Sequence, residues 1–169
     1  QVVRYNTFVN KTINIKTKAY DLKLYYTPKI YSKPTLGINP GATYGSAKRW
    51  YPERFAEVAN QLADQYDIII FGGPNEIDIA NDIEKNIEKK VMNLAGKTSI
   101  PELIENIAGL SLFITGDSGP MHIASAYKIK TIAIFGPTND AETAQWRNPN
   151  SYIVKNNLSC APCMKRVCP

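Results

Sequence analysis

Leu112-Phe113-Ile114-Thr115-Gly116-Asp117-Ser118-Gly119-Pro120-Met121-His122 reads as a strand that turns a corner into a helix. The apolar run 112–115 stops at a glycine, and Ile123, Ala124, Ala126 and Tyr127 then follow in a helical pattern. Asp117 or Ser118 is placed to cap that helix and Pro120 suits its first turn. The glycines let backbone N–H groups approach an anion at the positive helix end. His122, the only histidine of the chain, falls in the first turn and so near the same ligand. The same residues also make a plain capped helix with a surface histidine, so the corner has to be read with its surroundings.

Outward from it, the pattern repeats. Residues 36–38 form a short strand and 39–50 a polar loop. Pro52 then opens a helix in which Phe55, Val58, Ala59, Leu62, Ala63 and Tyr66 recur on one face. Residues 67–71 are an apolar strand ended by Gly72-Gly73-Pro74. A helix carrying Ile79, Ile83 and Ile87 follows and runs to Lys89-Lys90, two charges that suit a helix C-terminus. Residues 91–94 are a third strand, and Ser99 with Glu102 makes a capping box ahead of a helix burying Leu103, Ile104 and Ile107. Beyond the corner, 131–135 and 152–154 are the last two strands. Apolar strands alternating with amphipathic helices specify an α/β fold, a Rossmann-like doubly wound parallel sheet that binds ligands beyond the C-terminal ends of its strands.

Loops 39–50, 72–76, 95–98 and 116–122 arrive on that edge, with Gly136-Pro137-Thr138-Asn139 adjacent. Their glycines, the hydroxyls of Thr43 and Ser118, and Lys48 as a mobile cation suit a phosphate-bearing ligand. Neither the Gly-x-Gly-x-x-Gly fingerprint nor a Walker loop is present, which argues against a dehydrogenase or an ATPase. There is also no Asp-x-Asp pair for a metal–diphosphate complex, so phosphate charge would fall to Lys48, His122 and helix dipoles. Trp50 and Trp146 read as packing anchors.

A chain of 169 residues, 44% hydrophobic and 21% charged, fits one soluble globular domain. No apolar run approaches the roughly 20 residues of a membrane span, and no signal pattern opens the chain. It begins with Gln1, as a fragment or a processed chain would. The net charge of +5 sits at the front: residues 1–34 hold seven basic side chains against Asp21 alone, and the remainder is nearly balanced. That charge, interleaved with Tyr5, Tyr20, Tyr25, Tyr26 and Tyr31, could meet phosphates of a nucleic acid or an anionic membrane. With no nucleic-acid motif beside it, a solvated strand or linker is the preferred reading. Ile13, Ile15, Leu22, Leu24 and Tyr26 fall at alternate positions in two runs, which predicts extended structure with one covered face, and Pro28 and Pro34 bracket a linker. Cys160, Cys163 and Cys168 leave three readings open: zinc, completed by His122 or a residue beyond Pro169; a disulfide; or, by default, a structural loop with free thiols.

Four motifs in this order resemble the lipopolysaccharide heptosyltransferases, ADP-heptose-dependent enzymes of glycosyltransferase family 9, in their C-terminal half. They are Asn39-Pro40-Gly41-Ala42 with Lys48-Arg49-Trp50, Phe71-Gly72-Gly73-Pro74, Gly116 to His122, and Phe135-Gly136-Pro137-Thr138; the likeness covers 35–169. The closing Cys160-Ala161-Pro162-Cys163 and Cys168-Pro169 are similar to the branch that adds the second inner-core heptose. The resemblance implies a GT-B enzyme whose C-terminal domain holds ADP-heptose and whose N-terminal domain holds the lipid A-core acceptor. It implies that Lys48 and Thr43 contact the donor diphosphate and that Asp117 meets the donor near its ribose or sugar. Amides around Ser118 and Gly119 would hold phosphate, with His122 supporting that charge. Glu76 is the candidate for the ribose, and loop 95–98 would line the base through its backbone. It further implies direct displacement with inversion, no metal and no other cofactor, and a general base in the N-terminal domain. On this reading 1–34 is a basic leader or interdomain segment, and 35–169 is the donor domain, truncated at its C-terminus and inactive alone. It would work in the cytoplasm, with a contact to the inner membrane and none to nucleic acid. The alternative is a non-catalytic nucleotide-binding α/β module.

Overall fold

The computed structural model describes residues 2–41 and 45–168. Its strands are β1 (Thr35–Asn39), β2 (Asp67–Ile70), β3 (Met92–Asn93), β4 (Leu112–Gly116), β5 (Thr131–Phe135) and β6 (Ser151–Lys155). They form one 6-stranded sheet in the order β3-β2-β1-β4-β5-β6, with every pair parallel. The strand order reverses between β1 and β4, and it is there that the edges of such sheets open into a crevice.

Side-chain alternation divides the core between the two faces. Leu36, Ile38, Ile68, Ile70, Leu112 and Ile114 point to one side. There they meet Phe55, Ala56 and Ala59 of α2 (Pro52–Leu62) and Ala80 and Ile83 of α3 (Ile77–Lys85). Ile69, Phe71 and Phe113 point to the other, against Ile107 of α4 (Ile100–Ala108) and Ala124 of α5 (Gly119–Ala126). Phe71 and Phe113 stack edge to face with centroids 6.2 Å apart. Gly37 lies beneath them, and a Cβ built there would come within 2.4 Å of Leu110 and 2.9 Å of Phe113. The short α6 (Asp140–Thr143) follows β5, its head capped by Asn139. The predicted box before α4 is formed: Ser99 Oγ accepts from Glu102 N, and Ser99 N donates to Glu102 at 2.8 Å.

Four expectations need correcting. The leader, read as a solvated strand or linker, begins with a helix, α1 (Val2–Thr12), and none of its residues is buried. Its valines, threonines and asparagines are weak helix formers, which hid it in the sequence. Extended chain does follow it, with Leu22 and Leu24 half-buried, but this stretch pairs with no strand. Nor is it a linker at its end, because it is strapped to the domain. Lys29 N donates to Glu105 O at 2.9 Å, and Tyr31 Oη donates to Asn106 Oδ1 at 2.8 Å. Trp146 Nε1 donates to Tyr20 O at 2.9 Å, and Asp21 pairs with Lys128 at 3.1 Å. Gly109 permits the approach, since a Cβ there would lie 2.0 Å from the Lys29 carbonyl. Next, α3 ends at Lys85 instead of reaching Lys89-Lys90. Asn60 of α2 takes the turn, donating to Asn86 O at 3.0 Å and accepting from Glu88 N at 2.9 Å, and Lys89 pairs with Asp64. Finally, β3 is a two-residue edge strand, shorter than 91–94.

The strap makes a testable demand. Burial pushes the Tyr31 phenol up to about 12. A group whose folded pKa exceeds its unfolded value of about 10 lends stability that is complete below that value and is lost as pH rises through the folded one. Denaturant titrations should therefore show stability falling between pH 10 and about 12. Tyr31→Phe should flatten that fall relative to the parent chain while costing about 1 kcal/mol at neutral pH. An identical alkaline slope in both proteins would refute the strap's dependence on this hydroxyl.

Candidate functional site

The loops after β1, β4 and β5 close on one carboxylate. Asp117 follows β4, and its Oδ2 accepts Lys48 Nζ at 2.7 Å and Thr138 Oγ1 at 2.7 Å. Lys48 Nζ also donates to the Asp117 carbonyl at 3.1 Å. Lys48 comes from a 3₁₀ turn, Ser46–Lys48, in the loop after β1, and Thr138 from the loop after β5. The lysine and aspartate side chains keep only 11% and 6% of their surface. Removing one partner of such a pair strands the other charge, at a cost of about 3–5 kcal/mol. The loops also touch directly: a Cβ at Gly136 would sit 2.7 Å from the Ala47 carbonyl.

The corner is built as a strand-to-helix turn, but its capping differs from expectation. Ser118 occupies the N-cap of α5 without making a side-chain cap. Its hydroxyl instead joins a polar chain along the strand ends, donating to Gly116 O at 3.3 Å and accepting from Asn39 Nδ2 at 3.4 Å. Thr115 Oγ1 lies 3.3 Å away. The Asp117 carboxylate is likewise taken by Lys48 and Thr138 rather than by the helix. Among the described residues, neither side chain caps α5, and a Cβ built at Gly119 meets nothing within 4 Å. The aligned amides there present partial positive charge to open space.

His122 lies on the first turn of α5, one side open to solvent and the rest of the ring packed among its neighbours. Burial against its neighbours is the largest influence on the ring and holds its pKa below the usual value; the Asp117 charge pulls it up and the Lys48 charge pushes it down. The imidazole therefore senses both members of the ion pair and is neutral near pH 7.

Glu76 is buried at the end of a 3₁₀ turn, Pro74–Glu76. Its Oε2 accepts Gly73 N at 2.7 Å. Its carboxylate lies so close to Gly41 that a Cβ there would come within 1.9 Å of Glu76 Cδ. Glu76 thus joins the loops after β1 and β2. The neighbouring loop 95–98 is tied in by Gly96 N donating to Gly72 O at 2.9 Å, with Gly96 at φ +71°, a conformation that suits glycine.

The structure thus brings Lys48, Asp117, Ser118, Gly119 and His122 to one edge and puts Glu76 beside the first loop. Thr43 lies outside the described residues. Thr138 was missed as a site residue, although its place in the Gly136-Pro137-Thr138 loop, just beyond the C-terminal end of β5, is a readable signal. Trp50 packs edge-on against Phe55 at 5.0 Å, and Trp146 packs beneath Arg147, so both are anchors. The three cysteines are exposed free thiols, and no group of three or more metal-binding side chains occurs among the described residues. Their segment acts through its backbone: Arg166 O accepts Ala47 N at 3.1 Å, and Met164 N donates to Pro137 O at 2.9 Å.

Residues 5–169 match the family described as glycosyltransferase family 9 (heptosyltransferase). Lipooligosaccharide heptosyltransferase 2 of Campylobacter jejuni subsp. jejuni serotype O:2 is 46% identical over 182 residues, which cover 100% of this chain and 56% of that protein. The chain thus spans just over half the length of this relative. Among solved structures, the family 9 glycosyl transferase of Veillonella parvula matches with a TM-score of 0.71 at 28% identity, covering 76% of this chain and 37% of that one. The ADP-heptose lps heptosyltransferase II of E. coli matches with a TM-score of 0.65 at 26% identity, covering 88% and 42%.

The two glycines separate packing from ligand space. Gly41→Ala must displace the Glu76 carboxylate and should cost about 1–3 kcal/mol. Gly119→Ala should leave stability within about 0.5 kcal/mol, while weakening inorganic pyrophosphate about tenfold in a calorimetric titration. Unchanged pyrophosphate binding by Gly119→Ala would exclude the head of α5 as the anion site.

Proposed function

The chain belongs to glycosyltransferase family 9, and on that premise we propose that it is the donor-binding half of a GT-B heptosyltransferase, which moves heptose from ADP-heptose to the lipopolysaccharide inner core. The observation that carries this reading is the buried Lys48–Asp117 pair directly ahead of α5, whose head has no side-chain cap and whose His122 feels both charges. In this proposal residues 35–169 are the donor domain and 1–34 the strap leading to it. A second domain, within the length by which the relative exceeds this chain, holds the lipid A-core acceptor and the general base.

Each residue then has a role. Lys48 faces the donor diphosphate, amides at Ser118 and Gly119 hold its oxygens, and Asp117 orients Lys48 and meets the donor near its sugar. Glu76, held against the first loop, is poised for the ribose, and Thr43 for the diphosphate. The acceptor hydroxyl attacks the anomeric carbon from the face opposite the leaving ADP, so the configuration inverts. Charge growing on the departing diphosphate is met by Lys48 and by the α5 amides, which are oriented in advance. His122 takes up a proton as that charge approaches. No metal is required, and this chain alone does not transfer sugar. A non-catalytic nucleotide-binding module is the second reading and would use the same edge.

No helix among the described residues is long and apolar enough to cross a membrane. We propose that the enzyme works in the cytoplasm and meets the inner leaflet through its leader. There Tyr5, Phe8 and Val9 are exposed near a run of lysines. Lys16, Lys18 and Lys23 changed together to Ala should lower sedimentation with anionic liposomes, and unaltered binding would remove the membrane role.

Isothermal titration with ADP, UDP and GDP tests the site. ADP should be preferred, affinity for all three nucleotides should fall in Lys48→Ala and Asp117→Asn variants that still melt cooperatively, and ADP should raise the midpoint of the single histidine's NMR titration. Tighter UDP or GDP binding would sink the assignment. Transfer should require the longer protein and persist in a chelator.

A further inference from the structure

Thr138 belongs to none of the roles above, yet its hydroxyl makes one of the shortest hydrogen bonds of the site. It is buried, at 6% exposure, and Oγ1 donates to Asp117 Oδ2 at 2.7 Å. That oxygen is the one holding Lys48 Nζ at 2.7 Å. Two donors converge on one carboxylate oxygen, one from the loop after β1 and one from the loop after β5.

The donors differ in stiffness. An ammonium on a four-carbon stem is a mobile point charge that can follow the carboxylate as it turns, and the terminal torsion of an aspartate is a broad, roughly two-fold rotor. Lysine alone therefore does not set the orientation of Asp117. Thr138 is β-branched and stiff about χ1. Its loop is pinned on both sides. Pro137 O accepts Met164 N at 2.9 Å, and Asn139 Oδ1 accepts Ala141 N at 3.1 Å to cap α6. The rigid donor is thus the threonine.

We propose that Thr138 is a positioning residue: by fixing the Asp117 carboxylate it fixes the Lys48 ammonium, and so tunes donor-diphosphate affinity and the electrostatics at His122 without touching the ligand. The proposal deepens the donor-site reading and rests on it for its effect on nucleotide.

Thr138→Val removes the donor at nearly constant volume, and Thr138→Ser keeps it. Thr131→Val is the control, because Thr131 is also buried, at the N-terminal end of β5, and donates to Ile129 O at 2.9 Å. In the whole chain, ADP affinity should fall about tenfold in Thr138→Val and return in Thr138→Ser. The NMR titration midpoint of His122 should move in Thr138→Val and recover in Thr138→Ser, and Thr131→Val should change neither. If Thr138→Val does not fold, Thr138→Ala carries the comparison. A parental His122 midpoint in the hydroxyl-less variant, no recovery with serine, or an equal response in Thr131→Val each overturns the positioning role. The histidine readout needs no nucleotide, so absence of ADP binding by the parent would count against the donor site alone and leave the positioning claim to be decided by His122.

Discussion

A lysine and an aspartate withdrawn from water at 2.7 Å set the terms for this edge of the sheet. Desolvating two ions costs several kcal/mol each, and their attraction offsets that only where geometry is good and further hydrogen bonds fill the remaining positions. Here the second Lys48 bond, to the Asp117 carbonyl, and the Thr138 hydroxyl supply those additions. The pair therefore exists only when three loops stand together. They do so because β4 lies between β1 and β5, on the far side of the point where the strand order reverses. The chemistry of the edge is in this sense a consequence of topology.

That topology was legible because buried parallel strands carry continuous apolar runs. Residues 131–135 match β5 at both ends, and the strand inferred from 112–115 is one residue short. Helices with a local signature were equally plain: Pro52 opens α2, and Ser99 with Glu102 opens α4. What sequence could not show was competition between partners. Asp117 and Ser118 are good caps in isolation, but each has a tertiary partner with a stronger hold, Lys48 for one and the Asn39–Thr115 chain for the other. Similarly, the isoleucine pattern of α3 continues to Ile87 although the helix stops at Lys85, because Asn60 of a different helix binds the turn. Local propensity yields where a distant group makes the better bond.

The leader shows the opposite failure. Its helix buries nothing and lacks strong helix formers, so neither propensity nor periodicity announces it. The part that does matter to the domain is attached partly through backbone atoms: the Lys29 amide, the Tyr20 carbonyl and the close pass over Gly109. Side-chain patterns carry little trace of such contacts. The cysteine segment is similar. Its thiols attract notice in the sequence, whereas its backbone at Met164 and Arg166 makes the attachment to the loops.

In the proposed donor site, Lys48 and His122 would be two solutions to one electrostatic problem. A site for a diphosphate needs positive charge when the ligand is present, but an unpartnered buried cation is costly when it is absent. Lys48 is paired with Asp117 at 2.7 Å. That partner must be held in place, and it partly cancels the charge on offer. His122 avoids the cost by remaining neutral: burial disfavours its charged form, and the neighbouring aspartate and lysine act on it with opposite sign. Two negative phosphates brought to the head of α5 would add to the side that favours protonation. On that proposal the ring would gain its charge from the ligand's arrival, and the positive field would strengthen with occupancy.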